Sequence, residues 1–173
     1  MFDAAISQLT TSRWDLRREL AGLTANGLEA ISIWRAKLTD VGVGAAAAEL
    51  ACSGARVSSL QWAGGFTGGD GRTFAESVED AVEAIETAST LAAPVLVLHS
   101  GCRGGHTRTH AMRLLGDALA MLAPVAGRAG VALAIRPLHP AASVGCNFLN
   151  RLEEAVELEI PFVAVQQQSA DQL

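Results

Sequence analysis

Short apolar runs recur along this chain, and each is followed by a longer segment whose apolar residues return at helical spacing. That alternation limits the fold more than any other feature. The runs are FDAAIS, LEAISIW, RVSSLQW, VLVLHSG, VALAIRPL and the weaker FVAVQQ. Several are continuously apolar or β-branched, as strands buried on both faces must be. The helical period is clearest in ESVEDAVEAIETASTLA, which places Val78, Val82, Ile85 and Leu91 on one face. It is equally clear in HAMRLLGDALAMLAPVAGRA, where Leu115, Leu119, Leu122 and Ala126 make the stripe. Thr73 and Glu76 read as a capping box ahead of the first, and Pro124 should kink the second. A strand-then-helix unit repeating at roughly 30 to 40 residues predicts a parallel sheet covered by helices.

The chain has 173 residues, half of them hydrophobic, which is enough for one domain over residues 1–173 with a substantial core. A net charge of −5 and a pI near 5.3 argue against nucleic acid or an anionic membrane as partner. No apolar stretch reaches the ~18 residues of a membrane helix, and MFDAAISQLT lacks the basic start and apolar block of a signal peptide. The reading is cytoplasmic. Cys52, Cys102 and Cys146 are odd in number and far apart, with no CxxC pair, so reduced thiols are expected.

The connections are asymmetric. Helix-to-strand links such as ANG, CSGA, AAP and AGRAG are short turn chemistry. Strand-to-helix links hold nearly all the unusual polar residues: SQLTTSRW, WRAKLTDVGVG, QWAGGFTGGDGRT, HSGCRGGHTRTH and RPLHPAASVGCN. In parallel α/β folds the ligand site forms at the C-terminal ends of the strands, where these loops gather. Arg136 and His139 follow the strand VALAI at that end.

The series AISQLTTSRWDL, GLEAISIWRAKLTDVG, RVSSLQWAGGFTG, DAVEAIETASTLAAPVLVLHSG, GGHT and VALAIRPLHP resembles, in order, the sugar phosphate isomerase/epimerase group with a xylose-isomerase-like TIM barrel. The resemblance implies a (β/α) barrel whose members commonly hold a divalent metal (Mn, Mg, Co or Zn) and move a proton on an aldose or ketose. Two departures stand out. The family's strand-end glutamate, a metal ligand, is replaced by Arg136, a permanent cation that repels metals. Eight units take about 250 residues, whereas this chain supplies about six strands and five helices, a partial barrel. After IPFVAV the chain reads QQQSADQL, without the Asp or His expected at that strand end. An unclosed parallel sheet would leave edges and apolar interior residues needing cover. A second copy, another chain, a rearranged open sheet or a truncated product would each account for this; self-association is the expectation.

Each candidate site residue has an ordinary reading beside the functional one. His99 ends the strand VLVLH and His139 follows VALAIRPL; both are proton-transfer candidates, or else hydrogen-bonded strand-end histidines. Arg136 and Arg103 would hold an anionic group, or else pair with helix glutamates as surface arginines commonly do. Trp34 and Trp62 would line a sugar pocket, with Trp14 as a third ring, or else belong to the core. His106, in GGHT, gains a substrate-binding role from the resemblance; with His110 four residues on, it otherwise marks a solvated helix start. GGFTGGDG, residues 64 to 71, reads as a flexible loop, with a lid or phosphate contact as the alternative. Arg13, Arg35, Lys37, Arg72, Arg103, Arg108 and Arg136 all fall in or beside these loops, so an acidic exterior would surround a cationic mouth. No residue is assigned as a metal ligand. The expected ligand is a sugar or sugar phosphate, acted on by an isomerase or epimerase. The second reading is a non-catalytic barrel remnant that binds an anionic sugar or assembles with a partner chain.

Overall fold

The computed structural model describes residues 4–141, 147–156 and 158, and the backbone of 163–165. The strands are β1 (Ala5–Ser7), β2 (Ala30–Trp34), β3 (Arg56–Gly64), β4 (Val95–His99), β5 (Ala132–Ile135) and β6 (Val163–Val165). The helices are α1 (Leu16–Ala25), α2 (Leu38–Val41), α3 (Val43–Ser53), α4 (Phe74–Thr90), α5 (Arg108–Ala129) and α6 (Leu152–Val156). All six strands pair in parallel, in the order β1-β2-β3-β4-β5-β6. This is the sheet of a partial (β/α) barrel, and no pairing joins β1 to β6 among the described residues. QQQSADQL and Cys146 lie outside those residues.

The strand alternation sorts the two faces of the sheet. Ile31, Ile33, Leu60, Leu96, Leu98, Leu133 and Ile135 are fully buried or nearly so and form one core with the helices, including Leu20, Ile85, Leu115, Leu119 and Leu122. The capping box holds α4 in place: Thr73 Oγ1 accepts from the Glu76 N–H, and the Thr73 N–H donates to Glu76. Helix α5 is a single element from Arg108 to Ala129, with Pro124 inside it. No helix among the described residues is long and apolar enough to cross a membrane.

The opposite face of the sheet is less apolar than the helix side. Register places Ala5, Ser7, Ala30, Ser32, Ser59, Gln61, Val97 and Ala134 on it, mostly small or polar residues. Ala30, Val97 and Ala134 are buried yet stand apart from the helix-side core. The Ser32 and Ser59 hydroxyls lie 2.7 Å apart, and Gln61 Nε2 donates to Ser32 Oγ at 2.6 Å. Small side chains leave room for the sheet to curl, and the polar ones bond each other.

Candidate functional site at the strand ends

The site is assembled where β2 to β5 end. Pairing between β3 and β4 runs Gln61 to Val97 and then Ala63 to Leu98, so Trp62 is an extra residue in β3. Such an insertion bends a strand and re-aims its side chain. Trp62 lies edge-on to His99, ring centroids 6.2 Å apart, and its Nε1–H donates to Gln61 Oε1 at 3.1 Å. Gly64 is required beside it, because a Cβ there would sit 2.1 Å from the His99 carbonyl oxygen.

Two cavities meet at this wall. The larger, 540 Å³, is lined by residues including Trp34, Trp62, Arg72, Asp80 and His99, a size within the ~300–1,000 Å³ usual for small-molecule sites. The smaller, 70 Å³, is lined by Trp62, Leu98, His99, Arg136 and Leu138. A 640 Å³ cavity opens at the other end of the sheet, but its walls are largely alanine, leucine and proline, without the convergent polar groups that a ligand site needs.

His99 is largely buried, and burial, followed by the charge of Arg72, pushes its pKa down. The imidazole is therefore neutral at pH 7. Its Nδ1 is buried without a hydrogen-bond partner, and so is Arg136 Nε. Burial also pushes the Arg136 pKa down, and its Nη1 donates to Gln61 Oε1 at 3.3 Å. Among the described residues no carboxylate pairs with it. The backbone of Arg136 is nevertheless held firmly. Its N–H donates to the Leu98 carbonyl at 3.0 Å, and its carbonyl accepts from Asn147 Nδ2 at 3.0 Å. Asn147 is itself buried; it receives the Ser100 N–H at 2.8 Å and a short bond from the Ser100 hydroxyl.

Most of the cationic mouth is neutralised locally. Arg72 bonds Asp70 at 2.6 Å, Asp80 at 3.0 Å and the Gly64 carbonyl at 3.0 Å, and Arg35 takes the other Asp80 oxygen at 2.8 Å. Arg108 pairs with Glu154 at 2.7 Å and Lys37 with the buried Glu19 at 2.5 Å. Glu19 also accepts from Gln8 and Thr11, and Gln8 Oε1 accepts the Trp34 N–H at 2.8 Å, which fixes the end of β2. Gln8, Glu19, Gln61, Ser100 and Asn147 are the positioning residues that sequence reasoning missed.

Of the residues expected at the site, Trp34, Trp62, His99 and Arg136 are brought together. His139 is not among them: it is exposed after β5, where its Nδ1 accepts the Ala141 N–H at 3.3 Å. Arg103 is exposed and lines neither cavity. His106 faces the glycine-rich loop, with Nε2 3.1 Å from the Thr67 carbonyl, and its ring meets that of His110 at 4.7 Å. Trp14 packs on α1 beneath Arg18, away from the other two tryptophans. The GGFTGGDG segment is an interlocked loop: Phe66 and Thr67 are buried, Thr67 Oγ1 bonds the Cys102 carbonyl, and a Cβ on Gly69 would lie 2.1 Å from Cys102 Sγ. Two glycine loops packed backbone to backbone explain its composition without a phosphate or a lid.

The sequence profile of the xylose isomerase-like TIM barrel matches residues 21–159. The chain belongs to that family. Among proteins of curated function none matches it. Protein SMc04130 from Sinorhizobium meliloti 1021 is similar at 28% identity, with a TM-score of 0.86 over 95% of this chain and 62% of that one. The IOLI protein, solved with a binding zinc atom, has 19% identity and a TM-score of 0.78, covering 95% of this chain and 62% of the other. The apo form of 3-keto-D-glucoside 4-epimerase from E. coli has 14% identity and a TM-score of 0.73, covering 88% and 63%. The last two likenesses show the fold. This chain spans less than two thirds of each of these structures.

A divalent metal does not fit the family site as this chain builds it. No group of three or more His, Cys, Asp or Glu stands together among the described residues. The nearest acids, Asp70 and Asp80, are already bonded to Arg72 and Arg35, and the end of β5 presents a guanidinium, which has no lone pair for a metal.

Proposed function

We propose that this chain binds a sugar or sugar phosphate at the ends of β2 to β5, and that His99 transfers the proton in an isomerase-type reaction on it. One observation carries the reading. His99 is a neutral, largely buried imidazole on the wall of a 540 Å³ cavity that also holds Trp34 and Trp62. A neutral imidazole can accept a proton from the carbon beside a carbonyl, and aromatic rings pack on the apolar faces of sugars. Family membership and the epimerase among its structural neighbours support the substrate class.

A single proton carrier favours isomerisation over epimerisation. His139 is outside the cavity, and Asp80, the one carboxylate among the described residues that line it, is tied to two arginines. One base serving one side takes the proton from the carbon beside the carbonyl and returns it to the carbonyl carbon on that side, while the hydroxyl proton passes to the former carbonyl oxygen through water. The carbonyl moves one carbon along the chain without inverting a centre. The same absence of a second free acid favours the other reading, in which the site binds its sugar without turning it over. Proton NMR in D₂O with a panel of aldoses, ketoses and their phosphates tests this. Solvent deuterium should enter the carbon next to the carbonyl, and His99→Gln should slow that exchange by roughly 10²-fold or more. No exchange with any member, or exchange unchanged in His99→Gln, rejects the isomerase reading.

A further inference from the structure

We propose that the 70 Å³ pocket beneath Trp62 is an oxyanion site, in which Arg136 and His99 together hold the carboxylate or phosphate of a small polyol. This rests on the sugar site proposed above and names the chemical class of its ligand. The observation is a pair of vacant donors in one enclosure. Among the described residues Arg136 Nε and His99 Nδ1 are both buried without a hydrogen-bond partner, and both residues line this pocket.

Buried polar atoms are satisfied in the large majority of cases, and a buried cation lacking a counter-charge is costlier still. Because both residues line one pocket, a single anion seated there would serve both. Among the described residues that line the pocket there is no carboxylate; the others are Trp62, Leu98 and Leu138. Gln61 supplies Arg136 with one neutral acceptor at 3.3 Å, which leaves Nε and the remaining guanidinium hydrogens for a ligand. A guanidinium edge matches two oxygens of one carboxylate or phosphate. His99 adds a third contact when Nδ1 carries the proton, and Nε2 is then the nitrogen that accepts one. Both cavities share Trp62 and His99, so an anionic head in the small one places the polyol body in the large one against Trp34. At 70 Å³ the pocket is far below the size of a whole sugar site, as a head-group site should be.

The Arg136 backbone is held before a ligand arrives, by bonds to Leu98 and Asn147 on both sides, and Gln61 gives its guanidinium one anchor at 3.3 Å. Arg35 and Arg72 cannot substitute, because their carboxylate partners are already in place.

The experiment is an NMR titration of the full chain, following the Trp62 indole N–H and the Arg136 Nε–H. The probes are inorganic phosphate, acetate and neutral D-xylose, each with wild-type, Arg136→Met and Arg136→Lys protein. Phosphate or acetate should shift both signals at saturable concentration, and which of the two binds tighter identifies the head group. Arg136→Met should weaken that anion roughly 10- to 100-fold while D-xylose affinity stays within about twofold. Arg136→Lys, which keeps the charge and loses the fork, should fall between them and guards against a folding artefact. Saturable anion binding that is unchanged in Arg136→Met, or no saturable binding of either anion, overturns the oxyanion site. Anion binding lost in Arg136→Met with no deuterium exchange on any sugar leaves this inference standing and rejects the isomerase reading.

Discussion

Arg72, in the loop after β3, and Arg136, just past β5, each line a cavity that His99 also lines, and the same residue type is used in opposite ways. Arg72 grips Asp70, Asp80 and the Gly64 carbonyl, which ties the loop after β3 to α4. Burial acts to lower its pKa, but its bonds and charge contacts with the two aspartates outweigh this and raise it. Arg136 has one long bond to a neutral amide and a buried Nε with nothing to bond. The first is spent on the fold; the second is left available. A count of cations around a mouth says nothing about this division, which is decided by whether a carboxylate from another element reaches each guanidinium.

The comparison breaks most visibly at Asn147. The Arg136 backbone is held in part by Asn147, which bonds its carbonyl and makes three further bonds, to Ser100 and Leu149, in a buried position. Asn147→Ala should lower stability by about 2–4 kcal/mol, since buried donors and acceptors lose their partners. It should also broaden the Arg136 Nε–H signal. Chemical denaturation that loses less than about 1 kcal/mol would show that the side chain, not the backbone, sets the pose of Arg136.

Replacing the two arginines should give effects of opposite sign. Arg72→Met leaves Asp70 and Asp80 without their shared cation and the Gly64 carbonyl without its donor, and should cost about 1–2 kcal/mol. Arg136→Met removes a half-buried, unpaired charge and fills its place with an apolar chain, and should gain about 1 kcal/mol. Thermal melts of the two variants check this directly. Destabilisation by both would mean that Arg136 is structural like Arg72, and the contrast would collapse.

The sequence carried the fold because period and turn chemistry are local. The strand runs, the stripe of α5 and the capping box at Thr73 and Glu76 are all written within a few residues. Trp34, Trp62, His99 and Arg136 could be placed at one end because parallel sheets gather their strand ends. What could not be read was long-range pairing. The bond between Ser100 and Asn147 spans 47 residues, and that between Gln61 and Arg136 spans 75. His139 looked as promising as His99, but two residues past Pro137 the chain has left the sheet, and its ring is exposed. The glycine run at 64 to 71 suggested mobility, whereas its glycines permit close packing against the loop after β4. Glycine composition alone does not distinguish a loose backbone from one pressed against a neighbour.

The smallest expected effect, and the one that sharpens the contrast between the arginines, is on the acid limb of stability. Burial first and Arg72 second hold the His99 pKa below its ordinary value of 6.5, while Asp70 and Asp80 act weakly against them. The unfolded chain therefore binds a proton at His99 before the folded chain does. The stability this represents is complete above pH 6.5 and is lost as pH falls from there toward the lower folded value. His99→Phe should flatten that part of a stability-versus-pH curve. In Arg72→Met the two aspartates remain and the repelling cation is gone, so the His99 ring, followed by NMR, should titrate at higher pH than in the wild type. An anion seated on Arg136 should move His99 in the same direction by placing negative charge beside its ring. Adding phosphate to the wild type should then shift the His99 titration upward, and the same addition to Arg136→Met should leave it in place. A phosphate shift of equal size in both proteins would mean that the anion reaches His99 from the Arg72 side, and that Arg136 is not the cation that holds it.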